Sequence, residues 1–505
     1  MKLFRRLSAL AMVLALLLSM SISVFAAEFD NMDEGFAYDG ADTDVNITID
    51  TTDGGYYYTA QEGKTYTISG SGELAGGSFT GSGTVEINTA VTSYLDASGT
   101  VQVTVKDGVD GSVYANDNAS VSVGGKVAGD VVAYGEANVS VSGDVNGVVY
   151  AEGYAVDSAD GSATLTVGGD VNGGLSASGD AEVTVNGDVN GGLSASGDAE
   201  VTVGGDVIGR DGDPEDVNYD NPGDYSDGNT GVYASGNATV TVGGNVTGGD
   251  SYGTFGYGGV GIYAMENATV SVDGNVTGGD VIADPNTESD VYESWGGSAI
   301  YMDGTGATVT VGGNATGGST NGDAGKAGSG IYIDDTYFEA DEAGSVAVGG
   351  AVTGGTAPEN GTEGMGIEFD LVSEDTTLPE LTVGSYDSIG GSAGGEPLTE
   401  EQLNAIKAEI KIAPKAQPGE SVQVADTFWP NLIAKIRKAQ PGDEITVNVY
   451  GRKSIPASVI EAVREYDVKL IIKWNGGDDL VITKDFTAEV KGNILLKDLA
   501  EMLKK

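Results

Sequence analysis

The sequence predicts a mainly β protein, in which a parallel β-solenoid (β-helix) is followed by a small C-terminal α/β domain. Three observations support this prediction: tandem copies of an 18-residue unit, apolar residues at alternate positions within that unit, and a change in composition near residue 396. The chain has 505 residues, 82 of them Gly. That share is more than twice the usual value of about 7% and is typical of a repetitive, turn-rich chain.

The first 26 residues have the pattern of a secretion signal. Lys2, Arg5 and Arg6 precede a long apolar run that ends in small residues, as in a cleavable signal peptide over residues 1–26. An uncleaved membrane anchor is the alternative. No later stretch reaches the ~18 apolar residues that span a bilayer. We therefore expect an extracellular bacterial protein without a transmembrane segment after cleavage, either free or associated with the cell surface.

Composition excludes several functional classes. With 76 acidic and 24 basic residues, no His and no Cys, the chain has no disulfide, no thiol nucleophile and no ordinary zinc site. The acidity argues against a nucleic-acid partner, since phosphates require basic surface. Residues 28–396 contain 60 acids and five bases, a net charge of −55, whereas the last 109 residues contain 16 of each. This shift predicts a domain boundary at residue 396.

The middle region is built from repeats. Residues 174–191 are followed at once by a near-identical copy, residues 192–209. Within the unit, apolar residues alternate as in strands, and Gly-Asp or Asn-Gly pairs mark the turns between them. Stacking such units closes a core that no single unit can bury. We predict a β-solenoid over residues 112–396 and a less regular β capping part over residues 27–111. A β-sandwich is the alternative, and handedness stays open.

Residues 397–505 read as a separate α/β domain. Thr399 and Gln402 have capping-box spacing at the start of a helix, and Leu403, Ile406 and Ile410 line one of its faces. The other predicted helices cover residues 428–438, 456–466 and 494–503, and the predicted strands cover residues 444–450, 468–474 and 480–483.

Two parts of the chain resemble known secreted proteins. Residues 456–464 (PASVIEAVR) and 472–478 (IKWNGGD) resemble a C-terminal module of uncharacterised secreted proteins of anaerobic Gram-positive bacteria. That resemblance implies export and a surface location, without a known chemistry. The solenoid region resembles secreted bacterial β-helix proteins that act as adhesins or bind carbohydrate.

One column of acidic residues is a candidate metal site. In a solenoid, equivalent positions stack about 4.8 Å apart, which aligns Asp144, Asp170, Asp188 and Asp206. Neighbouring carboxylates at this spacing repel by about 1 kcal/mol per pair even in water. Bound calcium, which prefers oxygen ligands, would remove that penalty. The alternative is an acidic ridge that monovalent ions screen.

A tyrosine column is the candidate binding face. Tyr233, Tyr263, Tyr301 and Tyr332 lie between inward residues, so alternation turns them outward. Insertions precede all four, at residues 210–230, 249–260, 279–298 and 318–329, and should protrude from one face. Repeat insertions on one face often form a binding surface, and one of them carries Trp295. The alternative is a ladder that only stabilises the sheet.

These features favour a secreted or cell-surface binding protein, adhesin-like and carbohydrate-binding, whose partner is an extracellular glycan or a surface protein. The runner-up is a structural surface or cell-wall component without a specific soluble ligand. We do not expect an enzyme, because no acidic motif is singled out from the repeat. A polysaccharide hydrolase needs only two suitably spaced carboxylates, so that class stays open.

Ser176 and Ser194 occupy the tyrosine column in regular rungs, which predicts that Ser is tolerated there.

Overall fold

The computed structural model describes residues 36–39, 45–50, 56–153, 162–214, 225–253, 256–282, 294–304, 306–321, 325–334, 344–372, 378–413, 432–433, 435–437, 439–448, 454–473, 480–486 and 493–503. The predicted signal peptide lies outside these residues. Of the predicted helix over residues 428–438, the described residues 432–433 and 435–437 are helical.

Three parallel sheets wind around one core, as the repeat predicts. Tandem copies align in register: Leu175 pairs with Leu193 in the first sheet, and Val183 pairs with Val201 in the second. Val189 pairs with Val207 in the third. Each pair is 18 residues apart, so one repeat unit forms one rung. The parallel β-solenoid is thereby confirmed.

The first sheet carries the predicted tyrosine column. Its strands are Phe36–Asp39, Tyr56–Ala60, Glu73–Gly81, Ala90–Ala97, Ser112–Ala115, Val131–Tyr134, Val149–Glu152, Leu175–Ser178, Leu193–Ala195, Val232–Ala234, Ile262–Met265, Ile300–Asp303, Ile331–Asp334, Ile367–Leu371, Ile389–Ala393 and Glu396–Pro397. All neighbours in this sheet pair in parallel except the last two, which form an antiparallel pair.

The second and third sheets complete each rung. The second contains Val45–Thr48, Thr65–Ser69, Thr84–Ile87, Gln102–Val105, Ser120–Val123, Asn138–Val141, Thr164–Val167, Glu182–Val185, Glu200–Val203, Thr239–Val242, Thr269–Val272, Thr308–Val311, Ser345–Thr353, Glu380–Tyr386 and Lys411–Ile412. The third contains Val189–Asn190, Val207–Ile208, Val246–Thr247, Val276–Thr277 and Ala315–Thr316, and single bridges extend it towards the N-terminus.

In each strand, every second residue is apolar and its side chain points into the solenoid. In the rung that begins at Leu175, the side chains of Ala177, Val183, Val185 and Val189 are all buried. The same continuous core includes the region predicted as a less regular cap: Tyr58 stacks on Phe79 with ring centroids 5.6 Å apart, and both belong to it. The structure therefore places residues 56–111 in the same stack of rungs.

A helix closes the C-terminal end of the solenoid. Helix α1 (Glu400–Glu409) begins with the predicted capping box, in which Thr399 accepts from the backbone N–H of Gln402. Ile406 and Ile410 are buried in the solenoid core, and Lys411–Ile412 pairs with the second sheet. The structure thus groups residues 399–412 with the solenoid, beyond the boundary that composition predicts at residue 396.

The C-terminal domain has its own core. Strand Glu444–Asn448 pairs in parallel with Lys469–Lys473, which pairs antiparallel with Leu480–Ile482. Strands Ser454–Pro456 and Asn493–Leu495 form a second small sheet, and the domain also contains helices α2 (Ala457–Tyr466) and α3 (Leu496–Leu503). Their apolar side chains form a cluster distinct from the solenoid core. Within the described part of the chain, no helix combines the length and apolarity that a bilayer crossing requires.

Candidate functional site

Stacked glycines fix the insertions to the solenoid. The chain leaves each of these rungs at one glycine and returns to it at another. In chain order these glycines form a series, in which the backbone N–H of one glycine donates to the carbonyl of the preceding glycine. Gly259 donates to Gly249 and Gly279 donates to Gly259, both at 2.7 Å, and Gly297 donates to Gly279 at 2.9 Å. A Cβ on Gly279 would lie 1.9 Å from the Gly249 carbonyl oxygen. Only glycine allows this close approach, so the bases of successive insertions stack directly on one another.

The returning segments form a column that we call the return column: Tyr257, Trp295, Lys326 and Thr362. These residues are bridged one to the next in parallel register. The Gly258 N–H donates to the Trp295 carbonyl at 2.9 Å, and the Gly296 N–H donates to the Lys326 carbonyl at 2.8 Å. Backbone bonds of this kind hold the four side chains in line along the solenoid.

The four predicted tyrosines form a continuous stack, the tyrosine ladder. The ring centroids of Tyr233 and Tyr263 are 5.4 Å apart, and those of Tyr263 and Tyr301 are 4.7 Å apart with an interplanar angle of 8°. Tyr301 and Tyr332 follow at 5.0 Å. The rings are half-buried and face outward from the first sheet, as the alternation predicts.

Two hydroxyls at the centre of the ladder bond to carboxylates of the following rung, whereas the hydroxyl of Tyr233 donates to the sulfur of Met265 at 3.1 Å. Tyr263 donates to Asp303 at 2.7 Å, and Tyr301 donates to Asp334 at 2.6 Å. Asp303 and Asp334 are adjacent in register and each 6% exposed. Burial, followed by the hydrogen bond to Asp303, raises the pKa of Tyr263 well above its usual range. Burial and the bond to Asp334 raise the pKa of Tyr301 in the same way, so Tyr263 and Tyr301 are neutral hydrogen-bond donors at ordinary pH, not nucleophiles.

Between the return column and the tyrosine ladder lies the insert groove, with a volume of about 250 Å³. Trp295 is 41% exposed on its wall, and Tyr257 is 51% exposed, with ring centroids 6.5 Å apart. Lys326 lies over the Trp295 ring at 5.1 Å and pairs with Glu368 at 2.6 Å. Ser329 also donates to Glu368. The groove thus combines exposed aromatic surface with a neutralised pair of charges.

The predicted binding residues divide between this groove and the ladder. Tyr301, Tyr332 and Trp295 line the groove, whereas Tyr233 and Tyr263 continue the ladder beyond it. Sequence reasoning did not select Tyr257, Lys326 and Glu368. A signal for the return column was present, because each of its residues lies six positions before a member of the tyrosine column or its continuation, Glu368.

The hydroxyl bonds change one expectation about the ladder. Ser at column positions such as Ser176 is compatible with the fold, but Ser176 does not face an aspartate of the kind that Tyr263 and Tyr301 bond. Replacing Tyr301 by Ser would leave the buried carboxylate of Asp334 without that donor, a change that costs about 1–3 kcal/mol. We therefore expect such variants to lose stability, which makes Trp295 and Tyr257 the better probes of binding.

The candidate metal column has a defined structural role. The Oδ1 atom of Asp144 accepts from the backbone N–H of Asp170 at 3.0 Å, and Asp170 accepts from Asp188 at 2.9 Å. Asp188 accepts from Asp206 at 2.8 Å. We call this series the aspartate ladder. Among the described residues no group of three or more carboxylates converges as a metal site. Calcium binding by the aspartate ladder stays a prediction.

A larger cavity of about 500 Å³ lies beneath helix α1. Its lining includes Leu378, Glu380, Ile406 and Glu409, and none of the described residues that line it is aromatic. Glu380 is paired with Lys411. Because this cavity lacks the aromatic surface of the insert groove, it is the weaker candidate for a binding site.

A scan against protein-family models and searches of curated proteins and solved structures found no match to this chain.

Proposed function

We propose that this chain is a secreted or cell-surface binding protein, adhesin-like in character, that recognises an extracellular glycan in the insert groove. The observation that carries the proposal is the pair of exposed rings of Tyr257 and Trp295, held in register beside the Lys326–Glu368 ion pair. Contiguous exposed apolar surface that is rimmed by polar residues often marks an interaction site or a ligand-binding groove. Here backbone hydrogen bonds hold the two rings at the surface.

The chemistry of the groove suits a sugar. Aromatic faces supply apolar contact for the C–H faces of a sugar ring, and buried aromatic area dominates many recognition sites. Polar groups at the groove, including Lys326, Ser329 and Glu368, offer donors and acceptors for hydroxyls. Binding sites typically combine such an apolar lining with a few placed polar groups. The groove volume suits one or two sugar rings, not a folded domain.

A structural surface component is the second candidate. The ladder of Tyr233, Tyr263, Tyr301 and Tyr332 stacks and hydrogen-bonds within the protein, so it has a structural use without any ligand. Such a role leaves the exposure of Trp295 and Tyr257 unexplained, and for that reason we rank it second.

Catalysis ranks third. A glycoside hydrolase needs two carboxyl groups flanking the scissile bond. Of the described residues that line the insert groove, Glu368 alone carries a carboxylate, and it is paired with Lys326. Incubating polysaccharides with the protein and assaying new reducing or unsaturated ends tests this class directly, and we expect none.

The test of the proposal is a glycan array probed with the mature protein and three variants. We expect Trp295→Ala and Tyr257→Ala each to weaken glycan binding by about tenfold or more, as for an aromatic hot spot, with little change in melting temperature. Ile208→Thr is the matched control. Ile208 is 40% exposed on the third sheet, between Asn190 and Thr247. Unchanged binding in both aromatic variants, or no glycan bound by the parent, would refute the proposal.

A further inference from the structure

The outer face of the first sheet carries a second group of tyrosines, towards the N-terminus. We call it the N-terminal aromatic patch: Tyr57, Tyr94, Tyr114, Tyr134 and Tyr150. Tyr57 is 50% exposed, Tyr114 38% and Tyr134 40%. The rings of Tyr134 and Tyr150 lie 5.5 Å apart at 58°. The four insertions that flank the tyrosine ladder all lie C-terminal to the strands of this patch in the chain, so none of them leads into a strand of the patch.

The patch and the tyrosine ladder lie on one line. Tyr114 pairs in register with Val132, and Val132 pairs with Tyr150. Tyr150 pairs with Ser176, and Ser194 pairs with Tyr233. Tyr57, Tyr114 and Tyr150 of the patch therefore lie in the column of the ladder, whereas Tyr94 and Tyr134 lie two positions to either side of it. Three rung steps of about 4.8 Å, or about 14 Å, separate Tyr150 from Tyr233.

Small hydroxyl side chains occupy the interval between the two aromatic groups. Ser176 pairs with Ser194 in the column itself, and Ser178 lies one alternate position further along its strand. Serine leaves the sheet surface low and flat there. A linear chain could therefore lie on the sheet and reach aromatic rings at both ends without meeting a bulky side chain in the column.

We propose that one linear, uncharged polysaccharide chain lies along this face and contacts both the insert groove and the N-terminal aromatic patch. The proposal rests on the proposed function, since the groove must bind glycan for it to hold. The negative charge of the surrounding region favours an uncharged ligand over an anionic one. Residues 28–396 carry a net charge of −55, which repels a polyanion such as a polyuronate over long range.

The local groups agree with an uncharged, hydroxyl-rich chain. Glu152 accepts from Tyr150 at 2.9 Å, and burial, followed by that bond, raises the pKa of the tyrosine. Among the described residues that line the groove, Lys326 is the one basic side chain, and it is already neutralised by Glu368. A neutral polymer finds aromatic faces, hydroxyls and carboxylate acceptors here, and it brings no charge that must be matched.

Two patches on one rigid face act as a bivalent site. Once a chain occupies the groove, its binding at the patch is intramolecular, and such linkage can raise affinity by 10²–10⁴ without any new type of contact. Five rung steps of about 4.8 Å, or about 24 Å, separate Tyr150 from Tyr301 at the insert groove, so a trisaccharide is too short to bind at both ends. Affinity should therefore increase steeply with chain length.

The test compares short and long uncharged ligands on the same proteins. The probes are cellotriose with hydroxyethylcellulose, mannotriose with glucomannan and xylotriose with arabinoxylan, with polygalacturonate as the charged probe. Binding is measured by calorimetry for the trisaccharides and by affinity gel electrophoresis for the polymers. The variant is the double substitution Tyr114→Ser and Tyr134→Ser, and Ile208→Thr is the control.

We expect the double variant to lose about tenfold or more of its polymer affinity while its trisaccharide affinity and melting temperature stay unchanged. Polymer binding equal in variant and parent, or a parallel loss of trisaccharide affinity, would overturn this inference and leave the groove as a glycan site. Preferential binding of polygalacturonate would overturn the choice of an uncharged chain. If the parent binds none of the probes, both this inference and the proposal that the insert groove binds these glycans are wrong.

Discussion

Asp303 is a buried carboxylate with one oxygen left unpartnered. Its Oδ2 accepts from Tyr263, whereas its Oδ1 has no hydrogen-bond partner among the described residues. Burial raises the pKa of Asp303, and the charge of Asp334 adds to this effect, while the bond from Tyr263 opposes it. The folded protein therefore binds this proton more tightly than the unfolded chain does. Stability falls as pH rises from the unfolded pKa of about 3.9 through the raised folded value.

The substitution Asp303→Asn tests this assignment. Asn keeps an oxygen that accepts from Tyr263, and it removes the like-charge interaction with Asp334. We therefore expect the free energy of unfolding of the variant to exceed that of the parent by about 1–3 kcal/mol near pH 7. At pH below 3.9 the two proteins should melt alike, since Asp303 is then protonated in both states. Thermal melts of parent and variant across pH 3–8 make the comparison. A variant less stable than the parent at neutral pH would contradict the role assigned to burial.

The positions of these residues were predictable, but their partners were not. Alternation by two turns Tyr263 and Tyr301 outward, and the repeat aligns them in register. The bond from Tyr301 to Asp334 depends on how far the ring leans along the stack, which no periodicity specifies. A signal for it was nonetheless present in the sequence, because Ile-Tyr-Met-Asp at 300–303 is followed one rung later by Ile-Tyr-Ile-Asp at 331–334.

In the aspartate ladder, each residue uses one side-chain oxygen to accept a hydrogen bond from the backbone of the next rung. Asp188 accepts from the Asp206 N–H through Oδ1, and later rungs do the same with Asn, as Asn245 does for Asn275. Asp188→Asn keeps this acceptor and removes a like charge. We expect the melting temperature of Asp188→Asn to equal or exceed that of the parent. Asp188→Ala removes the acceptor, so its free energy of unfolding should fall by about 1 kcal/mol. Melting temperatures of the two variants in low salt decide the point.

The same ladder provides the calcium test. If calcium bridges the free oxygens, millimolar CaCl₂ should raise the melting temperature of the parent more than NaCl of equal ionic strength. The double substitution Asp170→Asn and Asp188→Asn should abolish the excess. Equal shifts in both salts would leave only charge screening and would contradict the calcium prediction.

At the scale of elements, strands were more predictable than insertions. Period-two alternation predicts a strand wherever it occurs, as at Glu182–Val185. The Gly-Gly pairs at 248–249 and 278–279 carry the same composition as an ordinary turn. Their stacking depends on carbonyl oxygens in neighbouring rungs, such as that of Gly249, coming within reach. Sequence alone therefore predicts that insertions leave the solenoid on one face, but not that their bases form a further ordered layer.

The whole molecule shows the limit of composition as a guide to domain boundaries. Charge balance changes near residue 396, yet the solenoid core extends to Ile410. The apolar stripe of helix α1 includes Ile406 and Ile410, and it could cover any apolar surface. Nothing in that pattern says whether it packs on the last rung or on the C-terminal domain. The repeat itself, by contrast, specifies the solenoid, because only stacking in register buries its inward side chains.

Two truncated chains test the position of the boundary. A chain of residues 27–413 keeps helix α1, and a chain of residues 27–396 removes it and uncovers the apolar end of the core near Leu381 and Val383. Burial of Ile406 and Ile410 contributes about 1.5–3 kcal/mol each. We therefore expect the shorter chain to melt at a clearly lower temperature and to associate through its open end. Circular dichroism should show a β-rich spectrum for the 27–413 chain. Calorimetry and size-exclusion chromatography then compare the two chains, and equal melting with both monomeric would mean that helix α1 does not cap the solenoid.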